Sequence, residues 1–116
     1  MAVKGRVVSP LGANCIDCTL KEFFCVSSCG PDKADIVLVG EAPGDQEIKW
    51  DKPFVGPAGF VLNRALKEAG IDREQVFVTN AVMCRPKPHR APTEDEIICC
   101  SDRLLTEIQQ HEPKVV

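Results

Sequence analysis

The chain has 116 residues, a net charge of −3 and 44% hydrophobic residues. This length allows one domain, and the hydrophobic content is ordinary for a globular protein, which argues against disorder. The acidic balance argues against a broad nucleic-acid-binding face, although it is compatible with a local basic patch. No stretch approaches the roughly 18 apolar residues of a membrane span, and the N-terminus has no apolar run of signal-peptide length. We therefore expect a cytoplasmic protein without membrane association.

A strand–helix–strand unit is predicted in the middle of the sequence. Residues 36–39 form an aliphatic run that ends in glycine, as expected of a buried parallel strand, and residues 45–56 are predicted to form a loop. Residues 59–69 have helical periodicity with Gly70 just beyond them, and residues 76–79 form a second aliphatic run. This order is typical of a right-handed βαβ unit. The predicted fold class is therefore α/β, a three-layer α/β/α arrangement with a parallel sheet.

A second helix is predicted after a stiff loop rich in proline. Thr93 and Glu96 have the spacing of a capping box, so the helix should run from there to about His111. Its inward side chains are predicted to be mostly Ile97, Ile98, Leu104, Leu105 and Ile108. A third aliphatic strand should begin near Val115, and a parallel sheet normally has more than two strands. We therefore expect residues 1–116 to form a single, incomplete domain, whose segment 1–33 carries the first cysteines.

Four cysteines have a spacing that suggests one shared site. Cys15 and Cys18 form a C-x2-C pair, and Cys84 and Cys100 follow as a distant C-x15-C pair. Two distant segments brought together in this way need either a metal centre or disulfides. In a reducing compartment, seven cysteines more often indicate metal ligands than disulfides, but spacing alone does not choose between zinc and an iron–sulfur cluster.

Another pair, Cys25 and Cys29, lies in the segment CVSSC. We interpret both as small buried residues, with a second metal site or a redox pair as the alternatives.

Four motifs occur together in an order typical of one family. They are NCIDC, GEAPGDQEIKWDKPFVGPAGFVLNRAL, VTNAVMCRPKPHRAP and the final Cys100. The chain resembles, from about Asn14 to Val116, the N-terminal portion of the family-4 uracil-DNA glycosylases, which are iron–sulfur enzymes of the uracil-DNA glycosylase superfamily. Relatives of that family include glycosylase-like domains associated with some phage DNA polymerases.

The resemblance implies a 4Fe-4S cluster, with zinc as the alternative metal. Its implied ligands are Cys15, Cys18, Cys84 and Cys100. Cys100 is favoured over Cys99 by the family spacing. Adjacent residues on a helix point about 100° apart, so only one of the two should face the cluster easily. The implied role of the cluster is structural.

The resemblance also implies a pocket for a uracil flipped out of DNA. Phe54 would stack on the base, and the amide of Asn80 would read its edge. Gly40 and Ala42 would bring backbone N–H groups close to uracil O2 or a phosphate. The alternatives are a core phenylalanine, a turn asparagine and an ordinary turn after a strand.

Two acidic residues are the predicted catalytic groups. Glu41 and Glu47 resemble polar residues of the family's pocket, and Glu47 corresponds to a residue near uracil C5, where the methyl group of thymine would clash. Their alternative interpretation is as solvated loop carboxylates. The family also has a late His-Pro motif, which neither His89 nor His111 matches.

A cationic loop is a predicted contact for DNA phosphates. It contains Arg85, Lys87 and Arg90, and the acidic segment 94–96 next to it could instead simply balance its charge. The expected partner is DNA that contains uracil, with a C-terminal polypeptide or a DNA polymerase as further candidates. The alternatives to a glycosylase are a non-catalytic DNA-binding module or polymerase accessory, one half of a split enzyme, and a zinc-bound structural domain.

Overall fold

The computed structural model describes residues 3–4, 13–15, 18–20, 24–86 and 90–116. Short strands β1 and β2 pair with each other, and the longer β3 and β4 form a parallel pair. In the described segments, no helix combines the length and apolar character needed to cross a bilayer. The elements are β1 (Val3–Lys4), β2 (Phe24–Cys25), β3 (Ile36–Gly40), α1 (Asp45–Trp50), α2 (Pro57–Glu68), a 3-10 turn (Arg73–Gln75), β4 (Val76–Asn80) and α3 (Glu94–His111).

The parallel sheet confirms the predicted βαβ unit. Ile36 lies opposite Val76 and Gly40 lies opposite Asn80, so the two strands end together. Val115 pairs in parallel with Ile36 on the far side of β3, which is where the predicted third strand begins. The outer edge of β4 pairs with Cys29 through hydrogen bonds of 2.7 and 3.0 Å.

Helices cover both faces of this sheet, as predicted. Val76 and Val78 of β4 pack in one cluster with Leu66 of α2. Phe77 and Thr79, which alternate with them along the strand, contact α3 instead. Because successive side chains of a strand point to opposite faces, α2 and α3 lie on opposite sides, and the architecture is three-layer α/β/α.

Helix α3 has the predicted bounds but not the predicted inward face. Thr93 caps it through its backbone and hydroxyl contacts with Glu96, as expected. However, Ile98 and Leu105 are 59% and 56% exposed. The prediction was wrong because the sheet presents polar partners here, so a polar face of the helix is buried. Its buried residues are Glu96, Cys100, Arg103, Glu107 and His111.

The predicted loop 45–56 contains helix α1. The helix forms because the side chain of Glu47 turns back and accepts a hydrogen bond from the backbone N–H of Gly44, at 2.9 Å. It ends at Asp51, whose φ of 53° is left-handed. Helix α2 begins at Pro57, two residues before the predicted start, because proline suits the first turn. Gly70, with φ of 75°, confirms the predicted end.

Candidate active site and cysteine cluster

One cavity of about 310 Å³ lies at the carboxyl ends of β3 and β4. This is the usual place for a ligand in an open α/β sheet, and the volume is within the range of small-molecule sites. Every residue predicted for the uracil pocket lines it, although the individual roles remain predictions. The predicted lining residues are Gly40, Glu41, Ala42, Glu47, Phe54 and Asn80.

Gly40 is the point at which the predicted stacking and edge-reading side chains meet. A Cβ atom at this position would lie closer than 3.0 Å to both the Phe54 ring and Asn80 Oδ1. A side chain at this position would therefore have to displace the Phe54 ring and the Asn80 amide. Asn80 is buried at 6% exposure, and Phe54 is half-buried. The aromatic ring and the carboxamide converge on one end of the sheet, as recognition of a flat heterocycle requires.

Glu47 holds two loops of the cavity together. Besides Gly44, its carboxylate accepts hydrogen bonds from the backbone N–H groups of Val55 at 2.8 Å and Gly56 at 2.6 Å. These contacts do not fit a merely solvated loop carboxylate. Glu41 differs, because its side chain is exposed at the rim of the cavity, and its backbone carbonyl accepts a hydrogen bond from the N–H of Val82.

The four predicted cysteine ligands converge on a second, small and apolar cavity. Cys15, Cys18, Cys84 and Cys100 are 7–8% exposed and line it together. Cys99 lines it as well. The expectation that only one of Cys99 and Cys100 faces the site was therefore wrong, because the half-buried Cys99 packs against the same cluster of core residues that contains Cys100.

Cys84 forms a disulfide with Cys25. This corrects the prediction that Cys84 is a free metal-binding thiol and that Cys25 is simply a small buried residue. Backbone pairing between Phe24–Cys25 and the start of the proline-rich loop brings them together. A disulfide sulfur is not the thiolate that binds a metal, so Cys84 qualifies as a ligand only in its reduced form. The interpretation of Cys29 as a buried residue was also wrong, because its side chain is exposed at the sheet edge.

The donor chemistry of this cavity suits a soft metal or a cluster. The pKa of the Cys18 thiol is raised to about 11, mainly by burial; the hydrogen bond from the backbone N–H of Leu20 opposes this rise, and the neighbouring thiols of Cys99 and Cys100 contribute to it. Metal binding would displace protons from such thiols. Within the described part of the chain, no group of three or more Cys, His, Asp or Glu has the arrangement of a bound ion. The residue types therefore suit a soft metal or a cluster. Ligation by all four cysteines, however, is possible only when Cys84 is reduced.

The predicted phosphate-binding arginines both contact carboxylates. Arg85 pairs with Asp45. Arg90 makes a two-pronged contact with Glu96, at 2.8 and 2.9 Å. A phosphate would have to compete with these carboxylates. Lys87 lies outside the described residues.

A buried polar network behind the pocket was not foreseen from the sequence. Arg103 is fully buried and donates to the carbonyl oxygens of Asn80, at 2.7 Å, and Ala81, at 2.9 Å. It also contacts Glu107 at 2.8 Å and Thr79 at 3.0 Å. The available signal was an i,i+4 Arg–Glu pair on the same helical face as Cys100.

Comparisons of the sequence with known proteins show similarity to one superfamily. A profile described as Uracil DNA glycosylase superfamily matches residues 27–116. The chain is 44% identical over 117 aligned positions to the Type-4 uracil-DNA glycosylase of Sulfurisphaera tokodaii, an alignment that covers 98% of this chain and 51% of that protein. It is 47% identical over 81 positions to the Type-4 uracil-DNA glycosylase of Thermotoga maritima, covering 70% of this chain and 42% of that protein.

A DNA polymerase of Bacillus phage SP01 is also similar, at 38% identity over 84% of this chain and 11% of the polymerase. The chain spans about half the length of the Type-4 glycosylases it matches. The superfamily profile covers the parallel strands β3 and β4, the pocket and helix α3. The chain therefore belongs to the uracil DNA glycosylase superfamily.

Proposed function

We propose that this chain carries the uracil-recognition part of a uracil-DNA glycosylase of base-excision DNA repair. The reaction is hydrolysis of the N-glycosidic bond of uracil in DNA, which leaves an abasic site. The observation that carries the proposal is the convergence of Phe54 and Asn80 on Gly40 at the end of the sheet. The two Type-4 relatives described above are named for the same activity.

Recognition requires a base flipped out of the duplex. The face of Phe54 provides an apolar stacking surface in the cavity. The amide of Asn80 can donate to uracil O4 and accept from uracil N3–H. Cytosine reverses this donor and acceptor pattern, so an amide held in one orientation discriminates against it. Burial of Asn80 strengthens this discrimination, because an unpaired buried polar group is costly.

Cleavage develops negative charge on the departing base, which preorganised donors stabilise. The turn that contains Ala42 can supply backbone N–H groups for this purpose. Glu41 is the better candidate for a direct catalytic contact, because its carboxylate is exposed at the rim, where a water molecule can approach. Glu47 instead shapes the cavity, since its oxygens already accept three backbone hydrogen bonds.

The cysteine cavity is proposed to hold a 4Fe-4S cluster, with zinc as the alternative. Cys15, Cys18, Cys84 and Cys100 would be its ligands. The bound group would supply a structural cross-link and no step of the reaction. It would connect the N-terminal segment, the proline-rich loop and α3, and would thereby stabilise a small domain.

Arg85, Lys87 and Arg90 are proposed to contact DNA phosphates next to the pocket. For Arg85 and Arg90, this requires exchange of the present carboxylate partners, Asp45 and Glu96, for phosphate oxygens. Such an exchange between anions is compatible with the partial exposure of Arg90, whose side chain is 36% accessible.

The second candidate function is that of an incomplete or non-catalytic uracil-binding module. It is favoured by the similarity of this chain to a segment that makes up 11% of a phage DNA polymerase. In this case, a C-terminal polypeptide would complete the enzyme, or a DNA polymerase would use the module as an accessory.

Anaerobic purification followed by incubation with a uracil-containing oligonucleotide tests these proposals. Iron content, DNA affinity and abasic-site formation are measured on the same sample, with thymine- and cytosine-containing oligonucleotides as controls. We expect tighter binding of the uracil oligonucleotide and a loss of that preference in Phe54→Ala and Asn80→Ala. Uracil preference without cleavage supports the incomplete module. Equal affinity for all three oligonucleotides would contradict both functions.

A further inference from the structure

Phe54 has a backbone conformation that is unfavourable for its residue type. Its φ is 54°, in the left-handed region, which few residues other than glycine adopt. Such a conformation is strained and persists only where the surroundings enforce it. It also determines where the ring points. The groups that hold this backbone therefore determine whether Phe54 reaches Gly40.

Arg73 holds the peptide groups on both sides of Phe54. Its Nη2 donates to the carbonyl oxygen of Pro53 at 2.8 Å, and its Nη1 donates to the carbonyl oxygen of Phe54 at 3.2 Å. The φ and ψ angles of a residue are the orientations of these two peptide planes about its Cα. One planar guanidinium that binds both carbonyl oxygens therefore restrains both angles. The Oδ1 atom of Asn63 accepts a further bond from Arg73 Nη1 and helps to fix this side chain.

Neighbouring groups leave Phe54 little room to relax. Gly59 of α2 is packed so closely that a Cβ atom there would overlap the carbonyl group of Phe54. On the other side, the N–H of Val55 is bound by Glu47. The restraint by Arg73 therefore acts on a backbone that is already confined.

The position of Arg73 in the chain connects the two halves of the recognition site. Arg73 lies in the turn directly before β4, and Asn80 is the last residue of that strand. A rigid strand therefore sets the distance between the residue that holds the stacking ring and the residue that reads the base edge.

We propose that Arg73 is a positioning residue for base recognition, which aligns the ring of Phe54 with the amide of Asn80. The expected effect on base binding rests on the proposed function, whereas the expected effect on the position of the Phe54 ring does not. Lysine should replace Arg73 poorly, because a single ammonium group lacks the planar fork that binds two carbonyl oxygens.

The test compares Arg73→Met and Arg73→Lys with Phe54→Ala and with the control Arg64→Met. Arg64 suits this purpose because its side chain is 76% exposed and forms an ion pair with Glu68 on the same helix. The first measurement is the NMR chemical shift of Gly40, which the nearby Phe54 ring perturbs. The second is affinity for a single-stranded oligonucleotide containing one uracil.

In Arg73→Met, we expect the Gly40 signals to move most of the way to their positions in Phe54→Ala. The affinity should fall about tenfold, as for loss of one base–aromatic stack. Arg73→Lys should shift the signals in the same direction, and Arg64→Met should resemble the parent protein. Unchanged Gly40 signals in both Arg73 variants would overturn the inference. Uracil affinity that is insensitive to Phe54→Ala would instead contradict the proposed function, whatever the Gly40 signals show.

Discussion

Glu96 connects three separate segments of the chain, and its ionisation should control stability at low pH. Its carboxylate, 2% exposed, accepts two hydrogen bonds from Arg90 and one of 2.6 Å from the hydroxyl of Thr19. It also accepts from the backbone N–H of Thr93 at 2.8 Å. The hydrogen bonds from Arg90 are the main reason that the pKa of Glu96 falls from 4.5 to about 2, and those from Thr19 and Thr93 lower it further against the opposing effect of burial.

The sign of the pH effect follows from the lowered pKa. Because the folded protein favours the ionised form of Glu96, its contribution to stability is fully present well above pH 4.5, the ordinary pKa. The contribution is lost as the pH falls toward the folded pKa of about 2. A shift of this size corresponds to about 3 kcal/mol. Screening of the partly exposed Arg90 reduces this value, and we expect about 2 kcal/mol.

Urea unfolding of the parent protein and of Glu96→Gln, at pH 7 and pH 3, measures this contribution. The variant should be less stable by about 2 kcal/mol at pH 7 and by about 1 kcal/mol or less at pH 3. Glu68→Gln is the matched control, because Glu68 is 71% exposed and pairs with Arg64 on the same helix. A difference between parent and Glu96→Gln that is equal at the two pH values would refute the reasoning.

Three further substitutions test the pocket and the network behind it. Gly40→Ala should weaken binding of a uracil-containing oligonucleotide at least about tenfold, because the new methyl group takes the space where Phe54 and Asn80 meet; unchanged affinity in a titration would contradict this geometry. Glu47→Gln should lower the free energy of unfolding by about 2 kcal/mol in urea, since the neutral amide keeps only one of the two oxygens that accept from the loop N–H groups. Arg103→Met should lower the free energy of unfolding by about 3–5 kcal/mol, because the buried Glu107 carboxylate loses its cationic partner. Adding Glu107→Leu should recover part of the loss, and equal stability of the single and double variants would argue against a charge effect.

Local sequence signals predicted the elements whose causes are themselves local. The capping box of Thr93 and Glu96 set the start of α3, and Gly70 marked the end of α2, because each feature satisfies backbone groups within a few residues. The aliphatic runs predicted the parallel strands, since strands covered on both faces are apolar throughout. The family motifs predicted which side chains would line the pocket at the ends of these strands.

Features that depend on a distant partner were decided by the tertiary structure. The buried face of α3 is polar because Arg103 and Glu107 form hydrogen bonds with Thr79 of β4. The residue pattern of the helix alone does not reveal this partner. The pairing of Cys25 with Cys84 likewise depends on backbone contact across 59 residues.

The sequence by itself determined where β3, β4, α2 and α3 occur and which motif residues gather at the carboxyl end of the sheet. Only the tertiary structure decided that Phe54 takes a left-handed backbone, because its restraint comes from Arg73, which is distant in sequence. The physical reason is the distance along the chain over which each effect acts. Capping and periodicity act over a few residues of the chain, whereas burial of a polar group or a strained backbone depends on which partners the complete fold brings within hydrogen-bonding distance.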